Sequence, residues 1–533
     1  MDRASPPLEA DIHCETEIEL KLTTSPGNLT KLLKIVSNTD GVDPQSRETK
    51  RIVSTYFDTE DRRLRKKGLT LRVREKGGEK EQTVKSEGTA FSGVFRRQEW
   101  TTAIKGKRPD LTIFKSSALH ERMGLVLPQE LSPLFKTDVK RTTIDVHHST
   151  ASGDSAKIEI AFDRGRLVAG KTKHDISEVE LELLSGANAA LTDLARILTD
   201  SASTVLSLSS KVERGFELCD GTAPQATTAY KLKLPKNATV EDGMSLIFRS
   251  ALSHLLMNRA AAVSGKDIKG VHQVRVANRR IKSAISIFHN ILSSSDTTAF
   301  KADANWMLDT LGPARDLDVF IDEVIYSVMV DRPNDPELAA LLKAAKKART
   351  GAYRKVKLTL SSARYTRAVL SLSAWIEDLG WRVDQAGPGL SEPLQTVASK
   401  LLSHRQRKVL KLGRKFKTLS ADERHNVRIA LKQLRYASEF FANLYPNKKT
   451  RSYVSNLKNL QNALGAANDV SVAEDVCKSL VASIRRGTKD SAALQSAAGK
   501  VLGWHTRAAS EAEYSIVKHW KILAKRRPFW LSS

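Results

Sequence analysis

Residues 15–21 read ETEIELK, and which way these side chains face decides the fold. Glu15, Glu17 and Glu19 fall at every second position and Lys21 continues the series, while Ile18, Leu20 and Leu22 fill the places between. On a strand, successive side chains point to opposite faces. One face is therefore Ile-Leu-Leu and the other Glu-Glu-Glu-Lys. Like charges side by side on a strand repel, and water is the ordinary remedy. The pattern thus admits either a solvated edge or a face turned toward something that needs carboxylates.

The same alternation recurs. Glu159 and Asp163 share a face of KIEIAFD opposite Ile158, Ile160 and Phe162, and Glu178, Glu180 and Glu182 share a face of SEVELELL. Basic residues alternate in the same way: Arg72 and Arg74 in LTLRVRE, with Lys85, Arg96, Arg97 and Arg141 on or near other expected strands. Arg96 and Arg97 are adjacent, so only one can point inward, and alternation with Glu99 favours Arg97. Short segments rich in Val, Ile, Thr and aromatics, punctuated by Gly, Asp and Ser, predict many antiparallel strands over 12–218, with helices near 26–38 and 187–200. In an open antiparallel sheet the charged face is solvated. In a closed one, a face of every strand lines the interior, where acids and bases are costly unless a ligand neutralises them. Carboxylates select hard cations such as Mg2+ or Mn2+, and Arg and Lys clamp phosphoryl oxygens. Together they describe a metal–polyphosphate site at which water attacks phosphorus.

The 533 residues suffice for two to four domains. Three scattered cysteines suggest neither a disulfide framework nor a cysteine-based zinc site, which points to a reducing, cytoplasmic setting. The opening residues carry no secretory pattern, and no apolar run is long enough for a membrane helix. Residues 1–220 hold 35 Lys+Arg against 34 Asp+Glu, so nearly all of the net charge of +26 falls beyond them. Such a charge calls for an anionic partner. Residues 219–237 lack either period and read as a linker. From 238 to 525 the period is helical. The helical half repeats: HQVRVANRRIK begins at His272 and HNVRIALKQLR at His425, while LGPARDLDV begins at Leu311 and LGAANDVSV at Leu464. One offset of 153 relates both pairs, which predicts two copies of one helical bundle. His272, Arg275, Arg279 and Lys282 share a helix face, and His425, Arg428, Lys432 and Arg435 repeat it.

EIELK resembles the opening Glu-x-Glu-x-Lys signature of the CYTH family, the triphosphate tunnel metalloenzymes. YFDT (56–59), LRVR (71–74), VKR (139–141), EIAFDRG (159–165), SEVELEL (177–183) and SKVERGFEL (210–218) follow in the family's order. The resemblance implies an eight-stranded antiparallel β tunnel over 12–218 that hydrolyses inorganic triphosphate with Mg2+ or Mn2+. It implies Glu17, Glu19, Glu178 and Glu180 as metal ligands, with the choice among Glu178, Glu180 and Glu182 open. It implies Lys21, Arg72, Arg74, Lys85, Arg97, Arg141 and Lys211 as substrate ligands, and Glu159, Asp163 and Lys21 in catalytic roles. Hydrolysis of an organic triphosphate such as thiamine triphosphate, and cyclisation of ATP, occur on the same fold. A non-catalytic polyphosphate scaffold is the rival from another class, but a pure anion binder gains nothing from buried carboxylates. Tyr56 and Phe57 read as packing residues.

The helical half resembles the CHAD domain, which implies binding of long-chain polyphosphate by His272, Arg275, Arg279, Lys282, His425, Arg428, Lys432 and Arg435. Lys282 stands where Arg is frequent, and the second copy has Asn468 and Ser471 where the first has Arg315 and Asp318. Binding is expected to strengthen as pH falls near 6.5, where free histidine titrates. Specific nucleic-acid binding is not expected, because the His/Arg helices offer few aromatics for stacking and Tyr436, Phe440 and Phe441 read as packing. The fold class is α+β: a β tunnel followed by an all-α domain of two pseudo-repeated bundles.

Overall fold

The computed structural model describes residues 13–91, 93–114, 118–150, 153–292, 294–382, 389–483 and 489–531. It forms two compact units, residues 1–225 with 360–380, and residues 226–359 with 381–533.

The first unit is built on ten described strands: β1 (His13–Thr24), β2 (Glu48–Asp58), β3 (Leu69–Lys76), β4 (Glu79–Ser86), β5 (Thr89–Phe91), β6 (Val94–Ala103), β7 (Ser132–Ser149), β8 (Ser155–Ala169), β9 (Thr172–Gly186) and β10 (Thr204–Leu206). Eight of them close a ring, β1-β9-β8-β7-β2-β3-β4-β6 and back to β1, all antiparallel. β5 and β10 are short additions to β6 and β1. Closure settles the question posed by ETEIELK. Glu17, Glu19 and Lys21 are buried although charged, and Leu20 and Leu22 on the other face are fully buried as well. The charged face is the interior, and the apolar face is covered from outside.

The covering elements are α1 (Pro26–Val36), α2 (Arg63–Lys66), α3 (Ala118–Met123), α4 (Asn188–Ser201) and α5 (Lys211–Asp220). In the YFDT stretch, Asp58 is almost fully buried and accepts the N–H groups of Thr59 (2.8 Å), Leu64 (2.9 Å) and Arg65 (3.1 Å), which fixes the turn into α2. Arg65, so placed, donates to Asp220 at 2.9 Å and lies 4.2 Å over the Phe216 ring. Phe216 packs edge-on to Phe135, which stacks on Tyr56 at 4.6 Å. Gly215 permits this fit: a Cβ there would sit 2.2 Å from the Phe135 ring. α5 is thereby seated against the barrel wall.

The second unit is helical: α6 (Val240–Met257), α7 (Arg259–Ser264), α8 (Lys269–Ile287), α9 (Ser294–Val319), a π-helical turn (Phe320–Ile325), α10 (Tyr326–Asp331), α11 (Pro336–Leu360), α13 (Leu394–Leu412), α14 (Ala421–Phe441), α15 (Lys448–Ala482) and α16 (Lys489–Lys525). The intervening α12 (Ala363–Glu377) belongs to the first unit, where it packs on α4 and β10, and Thr366 Oγ1 donates to the Thr204 carbonyl at 2.7 Å. The helical range expected from sequence, 238–525, therefore contains an excursion into the first unit. The expected linker of 219–237 is also divided: α5 runs to Asp220, and residues from Ala226 onward lie in the second unit.

Replacing Asp58 with Ala strands three N–H groups, those of Thr59 and Leu64 buried, and should lower stability by roughly 3 kcal/mol. Urea unfolding followed by circular dichroism measures it, and an unchanged midpoint would show that the turn does not depend on the carboxylate.

Candidate functional site

Inside the barrel a cavity of about 330 Å³ is lined almost wholly by charged side chains. β1 contributes Glu17, Glu19 and Lys21, β3 contributes Arg72 and Arg74, β4 Lys85, β6 Arg97, β7 Arg141, β8 Asp163, and α5 Lys211. Strand alternation puts all but the last on inward positions, and the fold brings Lys211 in from a helix. Arg97, not Arg96, faces the cavity, as the alternation with Glu99 requires.

The charges are interlocked. Lys85 donates to Glu17 at 2.8 Å and pairs with Glu99 at 2.6 Å. Arg97 donates to Glu17 at 2.6 Å and also pairs with Glu19. Lys21 bridges Glu180 (2.7 Å) and Glu19 (3.2 Å). Arg141 makes two 2.7 Å bonds to Asp163, and Lys211 reaches Asp163 (2.6 Å), Glu180 (2.9 Å) and Glu178. Burial penalises the ionised forms of Glu17, Glu99, Asp163, Glu178 and Glu180, but the adjacent cations outweigh it. Lys85 and Arg97 hold Glu17 well below the usual carboxylate range, and Lys21, Lys211 and Arg141 do the same for Glu180.

Two groups depart from that balance. Glu182 lies across β1 and β8 from Glu19 and Glu159, and burial together with the Glu17 charge pushes its pKa up to about 7. Arg74 is pulled down to about 10 by burial and by the neighbouring Arg72 and Arg141. Arg72 pairs with Glu99 at 3.3 Å through Nη2, while its Nε is buried without a hydrogen-bond partner.

Asp163, Glu178 and Glu180 form the carboxylate group that can hold a metal ion: one oxygen from each lies within 4.8 Å of the others. An all-oxygen, hard donor set suits Mg2+ or Mn2+. Of the four metal ligands expected from sequence, Glu178 and Glu180 belong to this group and Glu17 and Glu19 do not, while Asp163, expected to orient water, does. Glu178 lies behind the cavity wall, nearly fully buried and bound by Arg214 as well as Lys211. Glu159 does not line the cavity: it stands four positions from Asp163 on β8, about 13 Å along a strand, beside Asp145 and Glu182. Tyr56, read from sequence as packing, does stack on Phe135, yet it also lines the cavity. Burial disfavours its phenolate, but Arg72, Arg74, Lys211 and Lys85 more than offset this and lower its pKa. Glu99 and Arg214 are further participants that alternation alone did not single out.

In the helical unit the two basic faces meet. His272, Arg275 and Arg279 from α8 and His425, Arg428, Lys432 and Arg435 from α14 line one cavity of about 1590 Å³. Lys282 lies outside it and donates to Asn305 Oδ1 instead. Arg315, Arg451, Lys458 and Lys231 add charge that the motif did not reveal. The repeat is visible in atomic detail. A Cβ on Gly312 would meet Arg275 Nη1 at 3.3 Å, and one on Gly465 would meet Arg428 Nη2 at 4.0 Å, so in each copy the LG motif leaves room for the same arginine. Arg275 uses that room to donate to the Leu308 carbonyl. Asp318 is buried on Arg349 (2.7 Å) and Tyr353 (2.8 Å), whereas the side chains of Asn468 and Ser471 lie outside the described residues. Tyr436, Phe440 and Phe441 are buried, as packing residues should be. Burial, reinforced by Arg315, Arg279 and Arg275, lowers the His272 pKa to about 4, so in the free protein it is neutral at pH 6.5.

Among the described residues no helix is long and apolar enough to cross a membrane. Residues 15–216 match the CYTH domain family and residues 246–478 the CHAD domain family. An inorganic triphosphatase of Haemophilus influenzae is 31% identical over 208 residues, which are 38% of this chain and 54% of that protein, so the match spans about half the length of this relative. The crystal structure of a CHAD domain from the plant Ricinus communis covers 56% of this chain and 97% of its own, at 27% identity and a TM-score of 0.49. A Hippeastrum protein taken for an adenylyl cyclase and described as having a dominant triphosphatase activity covers 39% and 96%, at 18% identity and a TM-score of 0.30. Two family matches therefore divide the chain, a CYTH domain at residues 15–216 followed by a CHAD domain at residues 246–478.

Proposed function

We propose that the barrel hydrolyses inorganic triphosphate to diphosphate and phosphate with Mg2+ or Mn2+, and that the helical unit binds long-chain polyphosphate, the whole acting in the cytoplasm. The observation that carries the first part is the charged barrel cavity, where Asp163 and Glu180 face a ring of Arg and Lys and Glu178 stands close behind them, within reach of the same cation. The similarity to an inorganic triphosphatase supports the same reading. Besides charged groups the cavity offers chiefly Ser and Thr hydroxyls, Tyr56, Ile52, Val139 and Val212, and no wide apolar slot for a nucleobase or thiazole, which favours the inorganic substrate over ATP or thiamine triphosphate.

A hard divalent cation bound by Asp163, Glu178 and Glu180 supplies Lewis-acid polarisation of a phosphoryl oxygen. Lys211 and Arg141, which pair with those carboxylates in the free protein, would be free to meet the substrate if a cation took their place. Arg72 and Arg74 meet phosphoryl oxygens from β3, Lys85 and Arg97 from β4 and β6, and Lys21 from β1. Glu17 and Glu19 keep Lys85, Arg97 and Lys21 in place and lend further negative charge for a second cation. Water attacks a terminal phosphorus, the bridging P–O bond breaks, and the departing diphosphate takes up charge beside the arginines.

Glu17→Gln or Glu19→Gln should remove most turnover while the barrel stays folded, and near-wild-type rates in both at limiting Mg2+ would defeat the assignment. Arg72→Ala and Arg74→Ala should each cost roughly 1.5–3 kcal/mol of transition-state stabilisation in kcat/KM, the worth of one charge-assisted bond. Unchanged kinetics would place these side chains outside the reaction.

For the helical unit the carrying observation is that both basic faces line one cavity. A flexible polyanion engaging both gains avidity over a short one. Arg279→Glu with Lys432→Glu should sharply weaken long-chain polyphosphate binding in a salt-dependent titration, with single-stranded DNA binding far more weakly throughout. Equal affinity for DNA would reduce the cavity to a generic basic surface. The pH window expected from free histidine moves. His272 is neutral down to about pH 4 in the free protein, and nearby phosphates would raise its pKa. Affinity should therefore rise as pH falls toward 4, with proton uptake on binding. Calorimetry near pH 5 in buffers of different ionisation enthalpy reads this uptake, and identical heats would contradict it.

A further inference from the structure

We propose that residues 226–234, the stretch that enters the helical unit from the barrel side of the sequence, form a third wall of the polyanion cavity, with Lys231 as a phosphate ligand. This rests on the reading of that cavity as a polyphosphate site and adds a residue and a segment to it. The stretch has no helix or strand, yet it is pinned at both ends. At its start, the Ala226 N–H donates to the Asp267 carboxylate at 2.8 Å. The Thr227 N–H donates to Asn258 Oδ1 at 2.9 Å, and Asn258 Nδ2 returns a 2.9 Å bond to the Thr227 carbonyl. Asn258 is fully buried and also holds the His254 carbonyl at 2.9 Å, so this anchor is part of the core. At its end, Asn443 Nδ2 donates to the Leu234 carbonyl at 2.9 Å, and Leu234 is buried.

Asn258 stands between α6 and α7, just ahead of the first basic helix, and Asn443 follows the second basic helix, α14. The stretch thus runs from one copy of the repeat to the other, and Thr228 to Leu232 line the cavity between the anchors. Among the described residues, Lys231 is exposed and makes no ion pair or hydrogen bond, and residues 228–233 have no backbone hydrogen bond to the protein. Arg275 and Arg435 are partly spent on the Leu308 carbonyl, Gln461 and Glu439. Lys231 is not spent. A held backbone with unpaired N–H groups and a free ammonium costs little to organise around an anion, because the ordering has already taken place. A linear polyphosphate lying along both His/Arg faces passes between the two anchors and meets the strap.

The test uses the full-length protein and long-chain polyphosphate in a calorimetric titration at fixed salt. Lys231→Glu should weaken binding by about tenfold or more, the worth of one charge-assisted contact turned repulsive. Lys236→Glu, at an exposed position just beyond the stretch and outside the cavity lining, carries the same change in net charge and should shift affinity less than about twofold. In the wild-type protein, polyphosphate should slow amide hydrogen exchange across 228–233. Equal losses in the two variants, or unaltered exchange in the strap, would overturn the proposal. If Arg279→Glu with Lys432→Glu weakens binding and Lys231→Glu does not, the strap is excluded and the cavity stands. If neither does, the cavity reading fails and the strap with it.

Discussion

A carboxylate withdrawn from water must find a cation or a proton, and the whole of the first unit is arranged around that requirement. Closing the ring through β1–β6 turns Glu17, Glu19, Asp163, Glu178 and Glu180 inward. Glu17, Asp163, Glu178 and Glu180 are held ionised against burial by Lys21, Lys85, Arg97, Arg141 and Lys211, brought to them from other strands or from α5. Replacing such a network with apolar residues of similar volume is often neutral or stabilising for a fold. Its presence here underlies the proposal that groups paired with one another in the free protein exchange those partners for a metal ion and a string of phosphoryl oxygens. The apolar outer faces of the strands, covered by α1, α4 and α12, supply the burial that stabilises the barrel in spite of its interior.

The helical unit handles anions by different means. Its basic residues are not matched by an equal set of acids, and they are gathered by repetition. The same arginine, the same glycine beside it and the same helix face occur twice, so two halves of one cavity arise from one local design. Among the described residues this cavity, about five times larger than the barrel's, holds no carboxylate cluster like Asp163, Glu178 and Glu180.

The ring and its inward face were legible in the sequence because alternation has a period of two and charged positions keep it in β1, β3 and β9, and in β8 with Ala161 between Glu159 and Asp163. β7 escaped that reading, since Asp and Thr occur on both of its faces, although VKR marks its middle. Alternation also could not say which of Glu178, Glu180 and Glu182 meets Asp163, because all three share a face and the choice depends on register. Asp163 lies opposite Glu178, and Glu182 lies opposite Glu159. Glu159 and Lys282 fall outside the two cavity linings, because a face assignment leaves depth along an element open. The excursion of α12 and the anchoring of residues 226–234 rest on contacts with Thr204, Asn258 and Asn443, distant in sequence and carrying no local pattern.

The most direct measurement of the central claim is phosphate release by the purified chain from triphosphate, ATP, thiamine triphosphate and long-chain polyphosphate, each with and without Mg2+ or Mn2+. The account predicts metal-dependent turnover of triphosphate well above the other three, with phosphate and diphosphate released in equal amounts. Turnover without metal, or preferred cleavage of ATP or thiamine triphosphate, would contradict it.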